Sequence, residues 1–448
     1  MPIFLNVICA VLFSIQLCWV YAEEMSYYWA YMRFSGNYSD SILINIIVYT
    51  IIVAVMLPTK LDTRGFILTL LNYLFFIPSI VYISFNNTNN EYILLFAINV
   101  LILIFGSKIN VPAFRAIATK PESVMVFVVC MVAVALILQA AFGGLTTFDL
   151  NLDDVYLYRQ EAADKMPEIF AYVYSNVSTT MIPIGLTLAF SYRRWKIVIL
   201  CIIASTILFG MSHHKAVFFT SFLVITLCII FSVSKKTAFV AMLPMVLLFY
   251  AAFDVFLHIY IRQYRELSEF ASYFVRRTLL VPPMLDSAHV EFFSVFEKFY
   301  WSTSRFGLGL VKPPYDVPAP FVIGREFFND PTMAANTGII GSGYANGGAI
   351  GVLLYSIVTA AIIGFLNSLG RRLGHPFVAA ASFPTILIIV TTADLTTVIL
   401  THGLLLLLVF LSLLPAKKVE LGLEAPWRRA ATPHSASLKP APRRGQWL

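Results

Sequence analysis

Charged residues are scarce in this chain. They make up 12% of its 448 residues, about half of the roughly 25% found in ordinary soluble domains, whereas hydrophobic residues make up 59%. This composition excludes a disordered protein, a coiled coil and a single soluble domain. Several apolar runs approach or exceed the roughly 17 residues that a bilayer crossing needs, and they lack the alternation of membrane-barrel strands. The sequence therefore predicts an all-α, polytopic integral membrane protein.

Cysteine and metal-ligand patterns are equally sparse. The five cysteines lie in apolar runs, without a CxxC pair or a Cys/His cluster: Cys9, Cys18, Cys130, Cys201 and Cys228. Disulfides and a zinc site are therefore not expected, and the sequence predicts neither a metal nor a cofactor. The formal net charge of +7 would fit nucleic acid as a partner. However, the charges are distributed between apolar runs in the pattern of a membrane protein, so no nucleic acid is expected.

Twelve apolar runs predict transmembrane helices. They are 3–22, 41–57, 66–85, 92–106, 124–142, 169–190, 197–211, 217–233, 238–258, 347–368, 376–393 and 395–414. The first run also fits a cleaved secretory signal, but no Lys or Arg precedes it, and we favour its retention. The predicted membrane domain covers 1–418. The Pro-, Ala- and Arg-rich stretch 419–448 is predicted to be a disordered cytoplasmic tail.

Lys and Arg orient the predicted helices. Most of the 31 basic residues fall in one set of alternate loops and in the tail, which the positive-inside rule places in the cytoplasm together with both termini. Most of the others fall in one long loop on the far side, 259–346, for which short helices are predicted. Positive charge on a translocated loop opposes the usual bias. An anionic ligand is the simplest explanation, and anionic lipid of that leaflet is the alternative.

The long loop contains two pairs of arginines. Arg276 and Arg277 have no carboxylate within four residues along the chain. Two adjacent guanidinium groups suit a phosphate or diphosphate, which arginine binds through two parallel hydrogen bonds. Arg262 and Arg265 share one helical face, but nearby glutamates in the same predicted helix are able to neutralise them.

Aromatic and glycine-rich stretches follow in the same loop. The aromatic run 292–301 predicts a helix at the membrane interface, and stacking on sugar rings is the other interpretation. Between 336 and 351, Asn336 and Tyr344 are interleaved with glycine. A glycine-rich turn ahead of a helix presents backbone N–H groups to an anion, although tight turns and helix packing also use glycine. Arg325 adds a cation beside Glu326.

Shorter loops on the same predicted side contribute further polar residues. Arg159 lies among carboxylates in the loop 143–168, so it is either a salt-bridge partner or a second cationic contact. His214 and Lys215 occupy a very short turn, where Lys215 either snorkels to the interface or joins His214 in a diphosphate site. Two further pairs fit either a functional site or a buried structural contact: Asp254 with His258, and Asp394 with His402.

Four stretches resemble the oligosaccharide repeat-unit polymerases, the Wzy-type O-antigen polymerase family. In the expected order they are Val155–Arg159, Ser212–Lys215, Arg276–Pro282 and Asn336–Gly347, of which the last is the most specific. With the predicted helices and the long loop, the resemblance covers most of 1–418. It implies a metal-independent glycosyltransferase of the broad GT-C type in the bacterial inner membrane, with its active site on the periplasmic face.

The resemblance also implies a reaction. The growing glycan would leave its undecaprenyl diphosphate carrier for the non-reducing sugar of an incoming lipid-linked unit. The implied partners are that lipid-linked oligosaccharide, the lipid bilayer, a chain-length regulator and a flippase. An O-antigen ligase, a lipid-linked oligosaccharide flippase or other transporter, and a receptor or structural membrane protein remain alternatives. Transporters usually carry charges at the midplane and repeated halves, which this sequence lacks.

Roles for individual residues follow from that reaction. The residues predicted to stabilise the diphosphate leaving group are Arg276 and Arg277, helped by Lys215, His214 and Arg159. Those predicted to bind substrate are Arg325, Asn336, Tyr344, Arg262 and Arg265. The base that accepts the proton of the acceptor hydroxyl is left open between His214, His258 and Glu161.

Overall fold

Helices account for all regular structure in the described part of the chain. The structure, a computed structural model, describes residues 2–36, 38–60, 62–86, 88–113, 119–150, 167–233, 237–261 and 267–415. Every regular element in these ranges is a helix, so the predicted all-α class is confirmed. A continuous apolar run in lipid satisfies its backbone N–H and C=O groups only by bonding them within a helix. The predicted disordered tail, 419–448, lies outside the described residues.

The helices differ widely in length. Numbered in chain order, α1 to α5 cover Ile3–Tyr28, Asp40–Met56, Thr63–Phe85, Asn90–Gly106 and Pro121–Gly144. α6 runs through Glu168–Asn176, Val177–Met181 and Ile182–Ser191. α7 to α9 cover Trp195–Ser212, Lys215–Val233 and Val240–Ile261. α10 to α16 cover Ser272–Leu280, Val281–Val295, Ala319–Phe328, Ile339–Leu373, His375–Thr391, Leu395–Leu400 and Leu404–Leu413.

Seven of the described helices are long and apolar enough to cross a bilayer, namely α1, α3, α5, α7, α8, α9 and α13. α2, α4, α14 and α16 are apolar but shorter. Large hydrophobic side chains such as Leu94, Val126 and Phe249 are exposed on the outer faces of these helices. Apolar exposure on this scale suits lipid and not water. The structure therefore supports a membrane protein with seven candidate spans.

The last predicted span does not form one helix. The run 395–414 is divided into α15 and α16 at Thr401, His402 and Gly403. Gly403 has φ +78°, a left-handed conformation that glycine adopts without steric cost and that ends the helical path.

α3 lies at the centre of the bundle. In its apolar window 94% of the residues are buried, and it packs against α9, α13 and α14. A helix that is apolar on all faces is stable only where other helices surround it. The outer helices α5 and α8 have one third of the corresponding residues buried, which leaves the rest of each surface for lipid.

The two ends of the helix bundle contain different connecting segments. The segment 267–338 lies at one end, which we call the loop end, together with the starts of α2, α4, α6 and α8. The opposite end joins α2 to α3 and α13 to α14. Polar contacts close that end: Thr63 Oγ1 lies 3.0 Å from His375 Nδ1, and Asn367 Nδ2 donates to Asp62 Oδ2 at 3.4 Å.

The aromatic run of the long loop is not a single interfacial helix. α11 packs against α13, α3 and α4, and residues 282–290 are buried without interruption. Phe292 and Phe293 are buried in α11, which ends at Val295, and Phe296 begins an extended stretch. The prediction of one interfacial helix over 292–301 is therefore wrong. Neighbouring helices cover the apolar faces of α11, so lipid is not needed to do so.

The glycine-rich stretch is helical and does not form a turn before a helix. α13 begins at Ile339, well before the predicted start at 347, and bends at Gly347 and Gly348. Gly338 lies so close to α14 that a Cβ there would be 1.9 Å from the carbonyl oxygen of Val390. Glycine is used here mainly to bring backbones together.

Candidate functional site

α10 presents the two adjacent arginines at the loop end. Its turns are wider than those of an α-helix: the N–H of Val281 donates to the carbonyl of Arg276, five residues back. In so wide a turn, side chains four residues apart lie close to one another.

The segment that carries α10 is anchored to the bundle at Ser268. The N–H of Ser268 donates to Glu24 Oε1 at 2.7 Å, and its hydroxyl donates to Asp254 Oδ2 at 2.6 Å. Ser268 also accepts the N–H of Ala271 at 3.0 Å. Asp254, which the sequence paired with His258, thus fixes the start of the segment.

Arg276 points into the protein. It is 6% exposed, and its guanidinium carbon lies 3.6 Å from the centre of the Trp29 ring, a close cation–π contact. Its Nη2 donates to the hydroxyl of Ser272, one turn earlier, at 2.9 Å. The contact with Trp29 packs α10 against the segment that follows α1.

Arg277 and Lys215 meet at one aromatic ring. Arg277 is exposed, and its guanidinium carbon lies 5.8 Å from the centre of the Tyr273 ring. Lys215 Nζ lies 4.8 Å from the same centre. The two cations come from α10 and α8, and they lie no farther apart than the sum of these distances. Cations brought together from separate helices are a feature of anion-binding sites.

Lys215 sits at the edge of the apolar core. It is the first of the 19 residues of α8 and the only charged one among them. A lysine at this point places its ammonium group at the level of lipid headgroups. The predicted very short turn between the two apolar runs is confirmed: α7 ends at Ser212, and α8 begins at Lys215.

His214 lies beside Lys215 in that turn. Its ring centre is 5.9 Å from that of Tyr174 in α6, and its backbone N–H donates to Ser212 Oγ at 3.3 Å. The hydroxyls of Tyr174 and Ser212 are 2.6 Å apart. These contacts bring α6 to the turn that carries His214 and Lys215. We name Tyr273, Arg277, Lys215 and His214 the cation cluster.

The remaining predicted residues lie in other surroundings. Arg325 is a partly buried residue of α12, and it donates to Glu326 Oε1 at 3.0 Å and to Asp316 Oδ1 at 3.3 Å. These carboxylates raise the pKa of Arg325 above its ordinary value. Asn336 is exposed before α13, whereas Tyr344 is buried within it. Lys298 Nζ covers the Tyr344 ring at 5.5 Å.

Three of the predicted site residues cannot be placed. Arg159, Arg262 and Arg265 lie outside the described residues, as does Glu161, one of the three bases considered. His258, another, lies in the last turn of α9.

Asp394, which the sequence paired with His402, accepts several hydrogen bonds at a polar junction between α13 and α15. Its Oδ2 accepts from Asn346 Nδ2 and from the Tyr355 hydroxyl, each at 3.0 Å, and its Oδ1 accepts from the start of α15. His402 Nδ1 lies instead 2.7 Å from Ser175 Oγ. Asp394 and His402 therefore make separate structural contacts.

A buried acid, Asp286, joins α11 to the start of α13. It is fully buried, and its Oδ1 accepts from the hydroxyl of Thr337 and from the N–H of Gly341 at 2.9 Å. The anion position at the start of α13 is thus filled by a carboxylate of the chain itself. Burial raises the pKa of Asp286 to about 7, because removal from water penalises the charged form.

His289 lies one helical turn after Asp286 and is also buried. Its Nδ1 lies 2.8 Å from the carbonyl of Leu285, and burial lowers its pKa to about 4. Among the described residues, Asp286 Oδ2 and His289 Nε2 have no hydrogen-bond partner. The sequence interpretation missed both. They were recognisable as the two ionisable residues in the otherwise uncharged stretch 278–290.

Comparison with protein-family models, with curated proteins and with solved structures finds no match for this chain.

Proposed function

We propose that this protein polymerises lipid-linked oligosaccharides at the membrane surface. In this proposal it transfers a growing glycan from undecaprenyl diphosphate to the non-reducing sugar of an incoming lipid-linked unit. It acts on the periplasmic face of the bacterial inner membrane and extends an O-antigen or a related surface polysaccharide. The proposal includes twelve membrane crossings, the last made by α15 and α16 together, with the loop end on the periplasmic side.

The observation that carries the proposal is the cation cluster. Arg277 and Lys215, from two helices distant in sequence, converge on Tyr273. Lys215 begins an apolar helix, so the cluster lies at headgroup level, where the diphosphate of a polyprenyl carrier also lies. A soluble phosphate site needs no such position. The resemblance of four stretches to the Wzy-type polymerases supports the same assignment.

The reaction requires few protein groups. The acceptor hydroxyl attacks the anomeric carbon of the donor glycan, a new glycosidic C–O bond forms, and the C–O bond to the diphosphate breaks. Undecaprenyl diphosphate leaves with the bond electrons, and the hydroxyl proton passes to a base. Fixed cations at the leaving group stabilise the charge that grows on it in the transition state. We assign this role to Arg277 and Lys215.

His214 is the base that we would test first. It adjoins Lys215 in the chain, and an imidazole accepts a proton near neutral pH. Arg276 is assigned a supporting role, because its guanidinium stacks on Trp29 and bonds Ser272, which holds α10 in place beside the cluster.

A profile of surface polysaccharide on a gel tests the function. Cells that lack this chain are expected to lose the ladder of long chains and to keep the lipid A core with a single repeat unit. If long lipid-linked polymer accumulates instead, the protein is a ligase. An unchanged ladder would refute the proposal for that polysaccharide.

A further inference from the structure

A turn at the loop end exposes large apolar side chains. Residues 306–311, which we name the apolar finger, contain Leu308 at 79% and Leu310 at 83% exposure. Phe306 and Val311 in the same turn are also exposed. A cluster of exposed leucines and an aromatic ring is costly in water and marks a surface that contacts lipid or protein.

The finger is a folded turn with a fixed shape. The N–H of Gly307 donates to the carbonyl of Ser304, and that of Leu310 donates to Gly307, both at 2.9 Å. Leu308 has φ +51° and Gly309 has φ +71°. A left-handed leucine costs backbone energy, and such strain persists where the surrounding structure imposes it and often where it serves a function.

The base of the finger is attached to the bundle at the edge of the predicted hydrocarbon layer. Trp301 Nε1 donates to the Tyr355 hydroxyl at 2.9 Å, and Ser304 Oγ donates to Thr396 Oγ1 at 3.0 Å. α13 and α14 are joined by Gly374 alone. Tyr355 and Thr391 lie at nearly equal distances along the chain from Gly374. Both distances are close to the roughly 20 residues that a helix needs to cross a bilayer.

α13 extends beyond that level. After its bend at Gly347 and Gly348, the helix from residue 349 to Leu373 spans about 37 Å at 1.5 Å per residue, whereas the hydrocarbon core is about 30 Å thick. The part from Tyr355 to Leu373 therefore suffices to cross the core. Trp301 and Ser304 lie at the boundary where lipid headgroups begin.

α13, to which the base of the finger is attached, also has an exposed apolar side. On α13, the helix that Trp301 contacts, Ile350 is 67% exposed and Ile357 is 54% exposed. Basic residues flank the apolar tip: Arg305 precedes it, and Lys312 follows it. An apolar tip between cations suits the boundary of acyl chains and anionic headgroups. A protein partner would not require attachment at this level.

We propose that residues 306–311 insert into the headgroup–acyl boundary of the leaflet at the loop end. Leu308 and Leu310 enter the acyl region, and Arg305 and Lys312 lie against lipid phosphates. The insertion holds the segment 267–338 at the membrane surface. This proposal does not depend on the catalytic function, and its test does not use activity.

Spin-label accessibility tests the insertion directly. The five cysteines are replaced by alanine, Leu308→Cys or Leu310→Cys is introduced, and the labelled full-length protein is reconstituted into vesicles of phosphatidylcholine and phosphatidylglycerol. Labels at both positions are expected to collide with oxygen, which concentrates in lipid, and to be shielded from a water-soluble nickel complex. Thr332→Cys, at an exposed position of the same segment, is the matched control and should show the reverse.

Two results would overturn the proposal. If the labels at 308 and 310 behave like that at 332, the finger lies in water. If they are shielded from both reagents, a protein surface covers the finger. A second measurement keeps the native cysteines: Leu310→Trp should add fluorescence that brominated lipids quench and iodide does not, and quenching by iodide would equally refute insertion.

Discussion

The two ends of the helix bundle use basic residues in different ways. At the opposite end, Arg372 Nη2 donates to the carbonyls of Leu411 and Ser412 at 2.9 and 2.8 Å, and Arg371 donates to Ser368 at 2.8 Å. At the loop end, Lys215 and Arg277 reach a shared ring from separate helices. Cations that bond chain carbonyls close a helix end, whereas cations that converge from different elements create a position for an anion.

Lys108, at the opposite end, is a useful comparison with Lys215. Its Nζ lies 4.4 Å from the centre of the Phe105 ring, so it makes the same type of contact as Lys215. Lys108, however, covers a ring in the adjacent turn of its own chain at the opposite end. The type of contact is therefore not what separates the two ends. What separates them is that two cations from helices distant in sequence converge at the loop end.

The largest expected effect is on activity at the loop end. Arg277→Ala and Lys215→Ala should each lower glycan transfer by about 100-fold or more, the usual cost of removing one group that stabilises a developing negative charge. The rate is measured with purified protein and lipid-linked units. Lys108→Ala is the control and should retain full activity. Equal losses in all three variants would break the comparison between the ends.

The next effect is on the stability of the junction between α11 and α13. Asp286→Ala leaves the Thr337 hydroxyl and the Gly341 N–H buried without their acceptor, at about 1–3 kcal/mol for each group. The free energy of unfolding should therefore fall by about 3 kcal/mol, as measured by denaturation in detergent. Asp286→Asn keeps an acceptor oxygen and should lose much less. If Asn is as harmful as Ala, charge and not hydrogen bonding holds the junction.

Stability at the opposite end should depend on Arg372. Arg372→Ala removes two hydrogen bonds from a charged donor to Leu411 and Ser412, which should lower the free energy of unfolding by about 2 kcal/mol. Glycan transfer by the folded protein should stay near that of the wild type. A selective loss of activity would show that this end takes part in the reaction.

The last predicted effect is on the pH dependence of stability at the loop end, where it is small in the wild type. The pKa of Asp286 is raised to about 7, so between about pH 4 and 7 the folded carboxyl holds a proton that the unfolded one releases. Its contribution to stability falls as pH rises. The pKa of His289 is lowered to about 4, so its contribution falls as pH drops from about 6.5 to 4. The two contributions nearly cancel in the wild type.

Removal of either ionisable group should reveal the pH dependence of stability that the other group contributes. Relative to the wild type, Asp286→Asn should lose stability on acidification from about pH 6.5 to 4, and His289→Gln should gain it, each by about 1 kcal/mol per pH unit. Unfolding curves in detergent at several pH values measure both slopes. Parallel curves for the two variants and the wild type would show that neither group titrates differently in the folded protein.

Helix content was predictable from the apolar runs, because a long apolar stretch in lipid must bond its own backbone. The position of α11 was not. The stretch 281–295 contains two prolines, two acidic residues and a histidine, and nothing local distinguishes a surface helix from one buried between α3, α4 and α13. The aromatic side chains of 292–301 were assigned to the interface for the same reason.

The cation cluster was partly predictable. Arg277, Lys215 and His214 were selected from the sequence as charges in outer loops, whereas Tyr273, the ring on which two of them meet, was not. Arg276 and Arg277 are neighbours in sequence and were expected to act together. Arg276 contacts Trp29 and Arg277 contacts Tyr273. Adjacent helical residues point about 100° apart, and the sequence does not show that Trp29 lies on the side of Arg276.

The sequence by itself determined that this chain is helical and apolar, and which of its cations fall between apolar runs. Local composition sets these properties, since solvation in lipid acts on each run separately. Only the tertiary structure decided that Lys215 and Arg277 meet, that Asp286 fills the start of α13, and that Leu308 and Leu310 stay exposed. Those outcomes depend on contacts between residues far apart in the chain, which packing selects and local pattern does not encode.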